Sequence, residues 1–270
     1  MGYYIPVEPN VNIYVEDIKP YHSNKTILFI HGWPVNHNMF EYQLNQLPKM
    51  GYRCIALDLR GYGKSDHPWE GYSYDRLADD IRMVIDTLGL ENIILAGFSM
   101  GGAISIRYMV RHAGHKVAKL ALISAAAPVF TKRADFLYGL ERDEVNKLIK
   151  TTYTDRPKML ANFGDIFFER YLTEEFKEWF RGLGINASGH ATAMGLVSLR
   201  DEDLRNDLTK IQVPTNIFHG KQDKICPFVL AEFMHAGIRD SKLIPFTFSG
   251  HGLFYDELEK FNKELIQFIG

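Results

Sequence analysis

Cysteine is scarce in this chain, and long apolar runs are missing. Only Cys54 and Cys226 occur in 270 residues. They are far apart and fall in different expected elements, so neither a disulfide framework nor a Cys/His metal site is indicated. An excess of charge is missing too: 31 basic residues stand against 33 acidic ones, for a net charge of −2. Without a polycationic face, nucleic acid and anionic membranes are not expected partners. No segment approaches membrane-spanning length, and the start Met1-Gly2-Tyr3-Tyr4-Ile5-Pro6 lacks the basic and apolar regions of a secretory signal. Pro6 also stands where a myristoylation signal at Gly2 needs Ser or Thr. A soluble, cytoplasmic chain that needs no metal or other cofactor is the expectation.

What is present is an alternation of short apolar strands with amphipathic helices. Residues 3–18 read as an edge hairpin turning at Pro9-Asn10. Thr26–Ile30, Cys54–Leu57, Ile93–Ala96, Val117–Ile123, Val213–Phe218 and Leu243–Phe248 read as buried strands, the type found in parallel sheets. Between them lie a helix from about Met39 to Lys49, closed by Gly51, and one that Ser73 caps. The latter carries Leu77, Ile81, Val84, Ile85 and Leu88 on one stripe and stops at Gly89. Further helices are expected near Phe228–His235 and Glu257–Ile269. The alternation breaks between about Phe130 and Asp207. Helical patterns at Val145/Leu148/Ile149 and at Phe176/Trp179/Phe180, behind a Thr173 cap, predict an inserted helical cap there. The expected division is a core of residues 1–129 and 207–270 with a cap of 130–206.

The stretch Gly97-Phe98-Ser99-Met100-Gly101-Gly102 sits between a predicted strand and a predicted helix. That context gives G-x-S-x-G its meaning, because a Ser forced through a sharp strand-to-helix turn tolerates only small neighbours two residues away on either side. A serine hydroxyl needs a base, and the base needs an orienting acid. Two later strand ends supply them, at Asp223 in His219-Gly220-Lys221-Gln222-Asp223 and at His251 in Ser249-Gly250-His251-Gly252. Ser99, Asp223 and His251 stand in the chain order of one hydrolase lineage and not of the others. Asp58 is the one rival acid, but it precedes Ser99.

At this point the chain resembles a family. The motifs His31-Gly32-Trp33-Pro34, Asp58-Leu59-Arg60-Gly61-Tyr62-Gly63-Lys64-Ser65-Asp66, Gly97 to Gly102, Asp207-Leu208-Thr209-Lys210-Ile211 before Val213-Pro214, and His219-Gly220 through Asp223 are similar to those of the α/β-hydrolase superfamily. Within it they are similar to the bacterial aryl esterases and cofactor-free haloperoxidases (perhydrolases). The resemblance implies an α/β-hydrolase fold with a mostly parallel eight-stranded sheet flanked by helices. It implies Ser99 as nucleophile, His251 as general base and acid, and Asp223 as its orienting carboxylate. The oxyanion hole would be the backbone N–H groups of Trp33 and Met100. Proline after Trp33 resembles the haloperoxidase side of the branch, and a cis bond there is open. In Lys221-Gln222-Asp223-Lys224 and in the cap the chain departs from the pattern, which leaves substrate choice open.

Trp33, Ile225 and Leu253 are expected to line a substrate pocket, together with Phe130 and Phe136 from the aromatic-rich cap. His31 reads as ordering its own loop. His22, His37, His67, His112, His115, His190, His219 and His235 read as surface or structural, Arg60 and Asp66 as loop stabilisers, and Cys226 as a small buried filler. The expected activity is a serine esterase on small aryl or alkyl carboxylic esters, working through an acyl-enzyme, with homo-oligomers left open. The alternatives are peracid formation, or attack on a lactone, amide or carbon–carbon bond by the same triad. A non-catalytic ligand-binding member of the fold is the distant one. An Asp nucleophile, as dehalogenation or epoxide opening needs, is absent.

Overall fold

The computed structural model describes residues 1–23 and 25–270. Its centre is one sheet of eight strands in the order β1-β2-β4-β3-β5-β6-β7-β8. The chain enters through the hairpin β1 (Gly2–Glu8) and β2 (Val11–Ile18), then runs β3 (Lys25–Ile30), α1 (Glu41–Gln46), β4 (Tyr52–Leu57) and α2 (Tyr74–Thr87). Next come β5 (Ile93–Phe98), α3 (Met100–Arg111) and β6 (Val117–Ile123). Helices α4 (Arg142–Asp165), α5 (Glu174–Ile185), α6 (Gly189–Asp201) and the short α7 (Arg205–Leu208) follow. The chain closes with β7 (Thr215–Gly220), α8 (Phe228–Gly237), β8 (Ser241–Phe246), α9 (Leu253–Asp256) and α10 (Leu258–Ile269).

Strand β2 pairs antiparallel with both β1 and β4, while the other five pairings are parallel. The strand–helix rhythm predicts such a mostly parallel sheet, and eight strands is the number that the resemblance implies. Every residue of β5 is buried, as a strand covered by helices on both faces requires. The helices cover the sheet with the faces their periodicity predicts. In α2, Leu77, Ile81, Val84 and Ile85 are buried, Ser73 Oγ accepts from Arg76 N at 3.3 Å, and Gly89 ends the helix at φ 56°.

From the adjacent strands β3 and β5 the chain leaves in opposite directions, β3 toward β4 on one side and β5 toward β6 on the other. Neighbouring loops diverge at that point and leave a crevice at the carboxyl edge of the strands. The loop after β4 is braced from below. The buried Arg60 guanidinium bonds Asp80 at 2.6 and 2.7 Å and Glu8 at 2.8 Å, and Asp66 accepts from Asn12 N and Nδ2 at 2.7 and 2.8 Å.

Four features differ from expectation. Strand β8 lies two residues earlier than its apolar pattern suggests, because pairing Thr215 with Ser241 and Gly220 with Phe246 sets the register. Phe248 is left in the following turn, 72 % exposed. The first expected helix is a short α-helical segment flanked by two 3₁₀ turns, His37–Phe40 and Leu47–Met50. In the helical stretch between β6 and β7, α4 is much longer than its apolar pattern and contains a kink. Asp155 is non-helical at φ −152°, and its side chain accepts from Lys158 N at 3.2 Å to restart the helix around Pro157. Helix α6 buries mostly small residues, Ala191, Thr192, Ala193, Gly195 and Ser198, with only Leu196 and Leu199 as large apolar ones, too few to form a readable stripe. Among the described residues, no helix is long and apolar enough to cross a membrane.

Candidate active site

Strand β5 ends at Phe98 and hands Ser99 to a turn at φ 51°, ψ −118°. A non-glycine residue there is strained, and it persists only where its surroundings over-determine it. Here they do. Ser99 N donates to Ile123 O at 2.9 Å, while Ser99 O accepts from Gly102, Ala103 and Ala126 at 3.0–3.1 Å. The small neighbours follow from the same packing. A Cβ on Gly97 would run into Ser105 Oγ, and one on Gly101 would run into the carbonyls of Ile30 and His31. The turn leaves Ser99 5 % exposed at the N-terminus of α3, on the wall of a cavity.

His251 comes from the loop after β8, and Asp223 from the loop after β7. His251 Nδ1 lies 2.8 Å from Asp223 Oδ2, with both side chains fully buried. The carboxylate can only accept, so Nδ1 carries the proton and Nε2 keeps a free lone pair. That Nε2 is buried and has no hydrogen-bond partner among the described residues. A buried acceptor left unpaired costs stability, and such a vacancy suits an atom that must take a proton. Asp223 Oδ1 accepts from Ile225 N at 2.9 Å and Cys226 N at 2.8 Å. Burial alone would push this carboxyl up, but the charge and hydrogen bond of His251, with His219 and the Cys226 N–H, hold it below the usual range.

His219 was not expected in this group. It is fully buried, donates Nε2–H to Cys226 O at 2.7 Å, and lies 3.4 Å from Asp223 Oδ2. Burial keeps it below its ordinary pKa, hence neutral at pH 7. Asp223 is thus flanked by two imidazoles. The one available signal was the placement of His219 on a strand, four residues before the acid. The thiol of Cys226 lies beside the Ser99 hydroxyl, and burial raises it far above an ordinary thiol, which makes it an inert filler.

Trp33 follows β3, and the Trp33–Pro34 bond is cis. A Cβ on Gly32 would approach Ser99 Cβ to 2.8 Å, so the backbone leading into Trp33 is pressed against the serine. Trp33 N–H has no acceptor among the described residues, and Met100 N–H, first in α3, has no intrahelical one. The two are free to donate to an anion. The Trp33 indole donates to Thr192 O at 2.8 Å and so joins this loop to α6. Asp58, the rival acid, is instead committed to His37 Nδ1 at 2.7 Å, His37 N at 2.8 Å and Lys64 N at 2.8 Å.

His31 orders its loop, as its sequence context predicts. Nδ1 donates to Gly32 O at 2.8 Å, and Nε2 accepts from Leu59 N at 2.9 Å. Burial lowers its pKa from 6.5 to about 4. The unfolded chain therefore binds a proton there between those values and the native one does not, so this contribution to stability is lost as pH falls from 6.5 toward 4. Denaturant unfolding should show His31 alone contributing about 2 kcal/mol less stability at pH 5 than at pH 7. A flat stability profile across that range would contradict the buried neutral imidazole.

The cavity holds about 820 Å³ and is lined by Trp33, Phe130 and Ile225, three of the five expected wall residues, and by Ser99 itself. One face of α4 and the residues Leu196 and Leu199 of α6 supply much of the rest. Phe136 and Leu253 do not line it, which corrects two expectations. The loop after β6 doubles back through a Thr131–Leu140 bridge, turning Phe130 inward and Phe136 outward onto Tyr138 and Phe233, with centroids 5.5 and 5.0 Å away. Leu253 opens α9 directly after the His251 loop, and that helical turn carries its side chain into the fully buried core.

With this geometry in hand, similarity to known proteins is informative. Residues 25–140 match the α/β hydrolase fold family model. The chain is 54 % identical over 268 residues to AB hydrolase superfamily protein YisY of Bacillus subtilis (strain 168), covering 99 % of both. It is 30 % identical over 278 residues to the bifunctional esterase/perhydrolase DCH of Acinetobacter calcoaceticus, covering 100 % of this chain and 99 % of that one. Among solved structures, an esterase (EaEST) from Exiguobacterium antarcticum superimposes with a TM-score of 0.96 at 50 % identity, covering 100 % of this chain and 99 % of that one.

Proposed function

The chain belongs to the α/β-hydrolase superfamily, and on that footing we propose that it is a serine hydrolase of carboxylic esters, with residues 130–206 as a cap over the site. The observation that carries the proposal is the buried Asp223–His251 pair, whose unpaired Nε2 is a ready proton acceptor in the same site as the strained Ser99. Ser99 Oγ attacks the ester carbonyl and its proton passes to His251 Nε2. The N–H groups of Trp33 and Met100 take the developing oxyanion. His251 returns the proton to the departing alcohol, leaving an acyl-enzyme on Ser99. Water then gives its proton to His251 and releases the acid.

The cavity volume refines the substrate. About 820 Å³ with a largely apolar wall is more than an acetyl group fills. Each further methylene buried contributes about 0.8 kcal/mol, so kcat/KM should rise roughly fourfold per carbon over the first members of a p-nitrophenyl ester series from acetate to octanoate. A folded protein labelled at Ser99 by a fluorophosphonate but inert to the whole series would mean that the site cleaves another bond.

One observation favours a second reading. Pro34 directly follows Trp33, and a relative 30 % identical along its full length is named an esterase/perhydrolase. Hydrogen peroxide would then replace water at the acyl-enzyme and leave as a peracid. Peracid yield against hydrolysis, measured on one ester, separates the two.

A further inference from the structure

His251 is the one residue between two glycines, and both glycines are pressed against the segment that joins α4 to α5. A Cβ on Gly250 would come within 3.2 Å of Phe167 O and of Glu169 Cγ, and one on Gly252 would run into the Phe168 ring. Gly252 N donates to Phe167 O at 2.9 Å, and the Phe167 ring meets the His251 ring edge-on at 5.0 Å. Gly250 N, on the other side, donates to Asp256 Oδ2 at 2.8 Å. The same carboxylate accepts from Glu169 N at 3.1 Å and from Arg170 N at 3.1 Å. One half-buried carboxylate thus joins the peptide before His251 to two peptides of the helical insertion.

We infer that Asp256 is a positioning residue that locks the His251 loop to residues 167–170, and so fixes the base relative to the cavity wall supplied by α4. This inference rests on the esterase reading above for its kinetic consequence, though not for the structural link. Three N–H groups converging on one carboxylate hold two segments in one geometry. Near-attack alignment is sensitive to shifts of an ångström or less. Phe163 and Ile166, near the end of α4, line the cavity, so a shift of residues 167–170 would move base and substrate wall apart. The neighbouring Glu257 braces the same loop from within, accepting from Phe248 N at 3.0 Å and Ser249 Oγ at 2.7 Å. Of these two carboxylates it is Asp256 that carries the link outward, beside the Gly252 N–Phe167 O bond.

The test compares Asp256→Asn with wild type. The amide keeps the shape but offers one acceptor oxygen and turns N–H groups toward backbone donors. The expected result is a roughly 10- to 100-fold fall in kcat with KM changed far less, and a parallel fall in the rate of Ser99 labelling by a fluorophosphonate. Hydrogen exchange should accelerate at 167–170 and at 248–252 together. Should the Asn variant fail to fold, Gly250→Ala presses a Cβ against Phe167 O at 3.2 Å and shifts the same two segments by a few tenths of an ångström without touching the carboxylate, and a smaller loss, again in kcat and not in KM, is expected. Turnover per folded molecule within about twofold of wild type, or faster exchange in one segment only, overturns the inference. A wild-type protein inert to esters and to the phosphonate defeats the esterase reading instead, and the paired exchange measurement still decides the link.

Discussion

Replacing Asp223 by Asn should lower ester turnover by about 10⁴-fold while leaving the fold in place. The amide oxygen can still accept from Ile225 N and Cys226 N, which fix Oδ1 at 2.9 and 2.8 Å, so the turn survives. The amide nitrogen then faces His251 Nδ1, where the carboxylate had accepted. Two donors cannot share that contact, and the imidazole responds by moving its proton to Nε2. Nε2 is the atom that must be free to take the Ser99 proton, so the base is present but in the wrong tautomer. His219, 3.4 Å from the same oxygen, cannot substitute, because its Nε2–H is committed to Cys226 O. The measurement is kcat on a p-nitrophenyl ester, with circular dichroism as the check on folding. An Asn variant within tenfold of wild type would remove Asp223 from the mechanism, and Asp58 is already excluded as a replacement by its bonds to His37 and Lys64.

Ser99→Ala should have the larger effect, a loss on the order of 10⁴ to 10⁶ in kcat, together with complete loss of fluorophosphonate labelling. The elbow geometry is set by backbone bonds from Ile123, Gly102, Ala103 and Ala126, none of which uses the hydroxyl, so thermal stability should be unchanged. Removing the hydroxyl leaves Trp33 N–H, Met100 N–H and the cavity intact, and ester binding should therefore persist. Residual turnover close to wild type would mean that the acyl group never rests on Ser99, and the acyl-enzyme route would fall.

Much of the site was legible because its residue types have few other uses at those places. A serine between Gly97 and Gly101 at a strand end, an aspartate and a histidine at two later strand ends, and a Trp-Pro pair after β3 are local patterns. The chemistry behind each acts over a few residues. The pocket wall was only half legible. Phe130 and Phe136 look equivalent as cap aromatics six residues apart, yet a loop that doubles back sends one inward and the other onto α8. Ile225 and Leu253 both follow a candidate triad member by two, but the first lies in an open turn and the second opens a helix that carries it into the core. His219 carried only its place on a strand four residues before the acid, and Asp256 carried no local signal, because its partners Glu169 and Arg170 lie in the helical insertion.

The sequence by itself determined the strand and helix alternation, the parallel core, the helical interruption and the three residues offered for catalysis. Each of these is a matter of periodicity or of a short turn, where side-chain chemistry and backbone sterics act between near neighbours. Only the tertiary structure decided that His219 flanks Asp223 beside His251, how α4 kinks at Asp155 to wall the cavity, and how residues 167–170 grip the His251 loop. Those outcomes depend on burial and on hydrogen bonds between segments tens of residues apart. Distant chain positions compete there for the same few donors and acceptors, and only the folded arrangement selects the partners.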